Sequence, residues 1–330
     1  MAISQTQALA TDRPSARGRS FLRLIRALGS NGKAVAGLTI IVAFIALALL
    51  APVLFPGDVS RIGSGGATPP SLEHLLGTTS KGQDVLALTL WGSRSSLLVG
   101  FVAGILATVI AILVGLASAY FGRVADDVLS MLTNVFLLIP GLPLLVILAA
   151  FLPPGLGTVI VVLAITGWAG GARVLRAQAM SIRGKDYVAA SIVTGEPALR
   201  IMLRDILPNM ASIVMMTLLG SIIGAIGAQA GLEFLGLGDS NTISWGTNLF
   251  WATSDGALML GQWWIFFPSG LAIALIAFAL ALCNYAVDEI TNPRLRKPRR
   301  TTTAAEPTPV EITPIEITGD STAGRKENVR

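Results

Sequence analysis

The sequence predicts an all-α, polytopic membrane protein with six transmembrane helices. Charged residues make up 13% of the 330 and hydrophobic residues 53%, whereas a soluble domain carries about 25% charged residues. That apolar excess cannot be hidden in one soluble core, so lipid is the expected solvent. The apolar residues also gather into six stretches with no charge, at 34–54, 97–120, 128–151, 156–172, 210–232 and 265–286. Most are long enough to cross about 30 Å of hydrocarbon.

In chain order, residues 1–33 are polar and basic, with Arg13, Arg17, Arg19, Arg23, Arg26 and Lys33. Phe21, Leu22, Leu24, Ile25 and Leu28 interleave with these arginines as in a short amphipathic helix at a membrane surface. A cleaved signal would be shorter and end in small residues, so 34–54 is expected to be an uncleaved first helix. Residues 34–96 comprise that helix and a Gly/Pro-containing external loop. Residues 97–290 hold five further spans and a basic connection at 173–209. Residues 291–330 are rich in Thr, Pro, Glu and Arg, without apolar periodicity, and are expected to be a disordered tail.

The basic residues predict the orientation. With both termini in the cytoplasm, 21 of the 24 Lys and Arg residues fall inside and only Arg61, Lys81 and Arg94 outside, which is the positive-inside pattern. Residues 236–264 contain no Lys or Arg. Trp245, Trp251, Trp263 and Trp264 stand near the ends of that segment, where an interfacial aromatic belt would place them.

Several chemistries are excluded at this stage. Cys283 is the only cysteine and His74 the only histidine, so an internal disulfide, a cysteine zinc cluster and most Cys-His or Ser-His-Asp sites are ruled out. Cys283 is expected to pack in a helix and His74 to sit in a loop. Gly29 to Lys33 lacks the spacer and closing Ser/Thr of a phosphate-binding loop, so no ATP hydrolysis is expected of this chain. No span holds the paired carboxylates of a proton relay, which speaks against a stand-alone secondary transporter. Asp126, Asp127 and Glu233 are expected to be interfacial charges. No basic soluble face is visible for nucleic acid.

Small-residue pairs at Gly100/Gly104, Gly220/Gly224 and Gly227/Gly231 would let helix backbones approach closely in lipid. Pro140 and Pro143 sit mid-span and would kink the third helix. With Asn134 and Gln229 they are the candidate residues lining a path.

The most informative segment is the basic connection. Between Lys185 and Asn209 it reads as a short helix, a break at Gly195, and a second helix restarted by Pro197, where a missing N–H costs nothing. Leu199, Met202, Leu203 and Ile206 recur at helical spacing as an apolar stripe. A rigid projection of this kind suits docking to a soluble partner, although an inert connector would look the same.

A resemblance distinguishes these two readings. The segment resembles the EAA loop of binding-protein-dependent ABC importer permeases: Glu-Ala-Ala, three residues, Gly, then a Leu-Pro about a dozen residues on. Ala190 and Ser191 fall on the two alanines, Gly195 on the glycine, and Leu207-Pro208 on the Leu-Pro. Ala189 replaces the Glu, and Asp205 stands where many relatives carry His. Further along, 76–85, 91–97, 230–238, 244–246 and 288–295 are similar to the dipeptide, oligopeptide and nickel subfamily, specifically its second, C-type permease subunit. Thr79 and Gln83 depart from that pattern.

This resemblance implies a type I ABC importer permease fold and a chain forming half of a translocation path. It also implies the partners: a homologous B-type permease subunit, two ATPase subunits or one fused ATPase, an extracytoplasmic solute-binding protein, and the lipid of a bacterial or archaeal plasma membrane. ATP and Mg would be held by the ATPases, with no cofactor on this chain. The coupling loop would comprise Asp186, Tyr187, Ala189, Ala190, Ser191, Gly195, Leu203, Arg204, Asp205, Leu207 and Pro208. Peptides lead as the solute, with nickel complexes, opines and oligosaccharides left open.

Overall fold

The computed structural model describes residues 31–63 and 65–291. The amphipathic segment 21–28 and the tail from 292 lie outside the described residues.

Among the described residues the chain folds as ten α-helices. The first is α1, Gly32–Leu54. Asn31 caps it, its Oδ1 accepting from Lys33 N at 3.0 Å, in the way a short polar side chain satisfies an orphan N–H. Helix α2, Val85–Phe121, is longer than the expected 97–120 because it starts twelve residues earlier. Asp84 caps it by accepting from Ala87 N at 3.0 Å, and Gly122 at φ 61° ends it.

The expected third span is divided. Helices α3, Arg123–Leu138, and α4, Gly141–Phe151, meet at an angle of 89°. Pro140 forces the break: it cannot donate the N–H that would continue the ladder, and it caps α4 instead. A kink was expected here; the structure has a right-angled interruption. Among the described residues, five helices are therefore long and apolar enough to cross a membrane, or six if α3 and α4 count as one span.

Helix α5, Leu156–Arg183, is followed by short helices α6, Asp186–Val193, and α7, Ala198–Ile201. A π-helical turn, Met202–Ile206, and a 3-10 turn, Leu207–Met210, lead into α8, Ala211–Phe234. After it come α9, Trp245–Ser254, and α10, Trp263–Thr291.

Helix α2 is the central column, packing along α5 and α8, while α10 packs on α1 and α8. Lipid gives little hydrophobic drive between helices, so close backbone approach decides the packing. A Cβ on Gly100 would lie 2.2 Å from Ile226 Cγ1, and one on Gly104 would lie 2.8 Å from Ile222 N. Only glycine fits at these two crossings. On α1, a Cβ at Gly37 would meet Ala279 O at 2.5 Å and Cys283 Sγ at 2.8 Å, so Cys283 packs in a helix interface. Buried Thr89, Ser93 and Thr108 return their hydroxyls to carbonyls one turn back and so bring no unpaired polar group into the bundle.

Asn31 Nδ2 donates to Glu289 Oε2 at 3.2 Å, so α1 begins and α10 ends at the same face, here the terminal face. The far face is capped by residues 55–84 and 235–262. Trp245 is fully buried there, its Nε1 donating to Thr89 O at 3.0 Å and its ring edge-on to Phe44. It is therefore an internal anchor and not part of an interfacial belt. Trp251 lies under Lys81 Nζ, 3.1 Å from the ring centroid, and Trp264 Nε1 donates to Thr78 O. Trp251 and Trp263 are the exposed members of the expected belt. His74 sits in the 55–84 loop with Nδ1 2.8 Å from Asp84 Oδ2.

Candidate functional site

At the terminal face, α6 and α7 project from the bundle. Helix α6 ends in a Schellman motif: Gly195 at φ +77°, with Glu196 N–H bonded to Ser191 O and Gly195 N–H to Ile192 O. That conformation suits glycine because a Cβ would clash with the backbone. Pro197 then caps α7, which produces the turn between the two helices.

The projection is fixed on one side and open on the other. Val188, Ile201 and Ile206 are completely buried, sharing a core with Ile182, Leu175 and Ala179 of α5 and Leu116 and Ala119 of α2. Tyr187, Ile192, Val193, Leu199 and Leu203 are exposed, Val193 to 87%. The expected stripe is therefore split: Ile206 faces the core and Met202 is half-buried, while Leu199 and Leu203 face outward. Asp186, Ala189, Ala190, Gly195, Arg204 and Pro208 are exposed, and Ser191, Asp205 and Leu207 half-buried. The anchors Val188 and Ile201 were not singled out from the sequence. Their signal was an apolar position on the opposite side of each helix from the exposed residues.

Arginines of α5 hold the root of the projection. Arg176 donates from Nε and Nη2 to both carboxylate oxygens of Asp126, each at 2.6 Å, and Ser118 and Ser130 donate to the same carboxylate. Arg183 Nη1 donates to Ala119 O at 3.0 Å. Asp126, expected as an interfacial charge, instead ties α3 to α5 and α2.

Within the bundle a groove of about 730 Å³ runs between α2, α4, α5 and α8. Its wall is apolar and glycine-rich, with Gly170, Gly171, Gly220 and Gly224, and the polar groups Thr166, Thr217, Ser221 and Asn284. Nothing within 4 Å would meet a Cβ at Gly220, Gly224, Gly227 or Gly231. The close approach expected of these glycines is thus absent among the described residues, and the face is open there.

The candidate path residues do not line this groove. Asn134 is exposed and accepts from Arg173 Nη2 at 2.7 Å near the terminal face. Pro140 and Pro143 are exposed at the start of α4, where neighbouring Gly141 reaches the groove. Gln229 corrects the expectation: it is buried and donates from Nε2 to Glu233 Oε1 at 2.9 Å. Glu233 corrects it too, being buried among Gln229, Ser244 and the close-packed Gly238 and Gly246. Both lie in a polar knot joining the far end of α8 to the capping box of α9. Among the described residues no group of His, Cys, Asp or Glu could hold a metal ion.

A multi-span bundle with a half-open apolar groove and a rooted helical projection at one face defines a membrane transport component. The chain belongs to the family of binding-protein-dependent transport system inner membrane components, whose sequence model matches residues 107–297. It is 36% identical over 279 residues to the dipeptide transport system permease protein DppC of Bacillus subtilis (strain 168), covering 82% of this chain and 85% of that protein. To the oligopeptide transport system permease protein OppC of the same organism it is 33% identical over 272 residues, covering 81% and 88%. A chain of the MetNI methionine ABC transporter in an inward-facing conformation superposes with a TM-score of 0.50 at 22% identity, covering 64% of this chain and 97% of that one. That likeness is one of fold, the type I ABC importer permease fold. The chain is a transmembrane permease subunit of an ABC importer.

Proposed function

We propose that this chain is the C-type permease of a peptide importer, and that α6 and α7 are the surface on which an ATPase docks. One observation carries the proposal: exposed Tyr187, Val193 and Leu199 on these short helices, and Leu203 on the π-helical turn that follows, stand opposite faces buried against α2 and α5. A partner that moves those side chains moves the helices flanking the groove. Coupling requires such an element with different contacts in two states. The names of the Bacillus relatives support peptides as the solute, and the uncharged groove suits a path that does not discriminate among side chains.

In this reading the terminal face is cytoplasmic. The open glycine face of α8 receives a homologous permease subunit, so that the two grooves close into one path. Two ATPase subunits, or one fused ATPase, supply ATP and Mg, and this chain hydrolyses nothing itself. The far face, with α9 and the 236–264 segment, meets the solute-binding protein. Affinity purification of the tagged chain in mild detergent tests the assembly. A second permease and ATPase subunits are expected with it; recovery of a homo-oligomer without ATPase would overturn the proposal.

A further inference from the structure

A second groove, about 720 Å³, lies on the far-face half of the bundle, lined by α1, α2, the first residue of α5 and the far-face loops. It is separate from the groove described above. At about 100° per residue on α2, Arg94, Leu98 and Phe101 fall within about 60° of one another, and Ala103 and Ala107 of the first groove lie on the opposite side. The second groove therefore opens away from the path. Its wall is apolar, formed by Ile45, Ala48, Leu49, Leu98 and Phe101, and Leu49 and Leu98 are more than half exposed.

Its mouth is polar. Arg94 is exposed, with its guanidinium carbon 5.0 Å above the Trp91 ring, and no ion pair to it forms among the described residues. The Trp91 indole nitrogen is buried at this groove without a hydrogen-bond partner. Asp58 and Ser60 line the same cleft, the Asp58 carboxylate accepting from Ser60. An apolar trough that ends in the Arg94 cation, one indole N–H and one carboxylate, the last also within the field of Arg61, complements a zwitterionic phospholipid.

We propose that this groove holds a phospholipid with a primary-amine headgroup of the phosphatidylethanolamine type. The phosphate takes donors from Arg94 and Trp91, the ammonium donates to Asp58, and one acyl chain lies along Leu49, Leu98 and Phe101. Charge complementarity selects this occupant. A purely anionic headgroup would set like charge against Asp58, offset in part by Arg61 of the same loop, and a quaternary ammonium has no N–H to give it. The inference rests on the chain spanning a membrane and is independent of which ATPase or solute it serves.

The test is native mass spectrometry of the delipidated permease complex, titrated with phosphatidylethanolamine, phosphatidylcholine and phosphatidylglycerol of identical acyl chains. One tightly retained phosphatidylethanolamine is expected per copy of this chain. Arg94→Gln should weaken it about tenfold or more, the scale of a lost charge-assisted hydrogen bond. Asp58→Asn should abolish the preference over phosphatidylcholine, and Leu98→Trp should lower retention of all three lipids. Arg94 and Leu98 are exposed, so a melting curve checks that these variants remain folded. A photo-crosslinker at Leu98 should give a lipid adduct. Equal retention by wild type and Arg94→Gln, no headgroup preference, or an adduct to a protein subunit would overturn the proposal.

Discussion

Arg176 grips both carboxylate oxygens of Asp126, at 2.6 Å each, and in doing so fastens α5 to the start of α3. Ser118 of α2 donates to the same carboxylate, so three helices meet at one charge. This junction lies two turns before the end of α5, where the chain turns into α6. A bidentate guanidinium–carboxylate pair is geometrically specific as well as strong, so the junction fixes the angle at which the projection leaves the bundle.

The costs of removing the two partners should not add. Asp126→Ala leaves Arg176 half-buried and uncompensated, and is expected to cost about 1–2 kcal/mol once partial exposure is allowed for. Thermal melts of Asp126→Ala, Arg176→Ala and the double variant give the cycle. The double variant should lose clearly less than the two singles added together; strict additivity would show that the pair is not coupled.

The two sets of glycines should behave oppositely. Gly104→Val drives side-chain atoms into the Ile222 backbone, an overpacking error of about 1–3 kcal/mol or more, and should lower the melting temperature of the chain itself. A Cβ at Gly224 has nothing within 4 Å among the described residues. Gly224→Val should leave that stability intact while reducing recovery of the second permease subunit. Equal effects of both variants on the two readouts would contradict the assignment of the α8 face.

At the far face, Glu233→Ala should loosen α9. The variant leaves the Ser244 hydroxyl and the Gln229 amide without their shared buried acceptor, a loss of about 1–3 kcal/mol per unsatisfied group. Amide hydrogen exchange should rise selectively in 236–254, while the terminal face keeps its protection. Unchanged exchange there would show that the carboxylate does not hold α9.

Gly195 gives a test of conformation. Its φ of +77° costs a branched residue about 1–2 kcal/mol, whereas Asn tolerates it better. Gly195→Val should redirect α7 and cut uptake about tenfold or more with the complex still assembled, and Gly195→Asn should retain most uptake. Full transport by the valine variant would show that the turn is dispensable.

Much of this was legible in the sequence, for physical reasons. Charge-free stretches and clustered arginines report the solvent directly, so most span ends were placed within about five residues, but α2 starts twelve residues early and α5 runs eleven residues past 172, to Arg183. Asp84 moved the start of α2 because one capping side chain outweighs a polar run such as Ser93, Ser95 and Ser96. The turn between α6 and α7 was readable because Gly195 and Pro197 have narrow backbone roles. What stayed hidden depends on partners distant in sequence. Gln229 and Glu233 are polar residues near a helix end, and only the return of 235–244 buries them. Asp126 finds Arg176 fifty residues later. Whether a glycine pair packs inside the chain, as Gly100 and Gly104 do, or faces outward, as Gly220 and Gly224 do, is set by the bundle and not by the spacing.

The most direct test of the coupling claim is a cysteine crosslink from the tip of α6. With Cys283 replaced by Ala, Val193→Cys provides the only thiol of the chain at an 87% exposed position. In the purified complex it should crosslink to the ATPase subunit, with a yield that changes when a non-hydrolysable ATP analogue is added. A crosslink to the second permease or the solute-binding protein, with none to the ATPase in either state, would contradict the account.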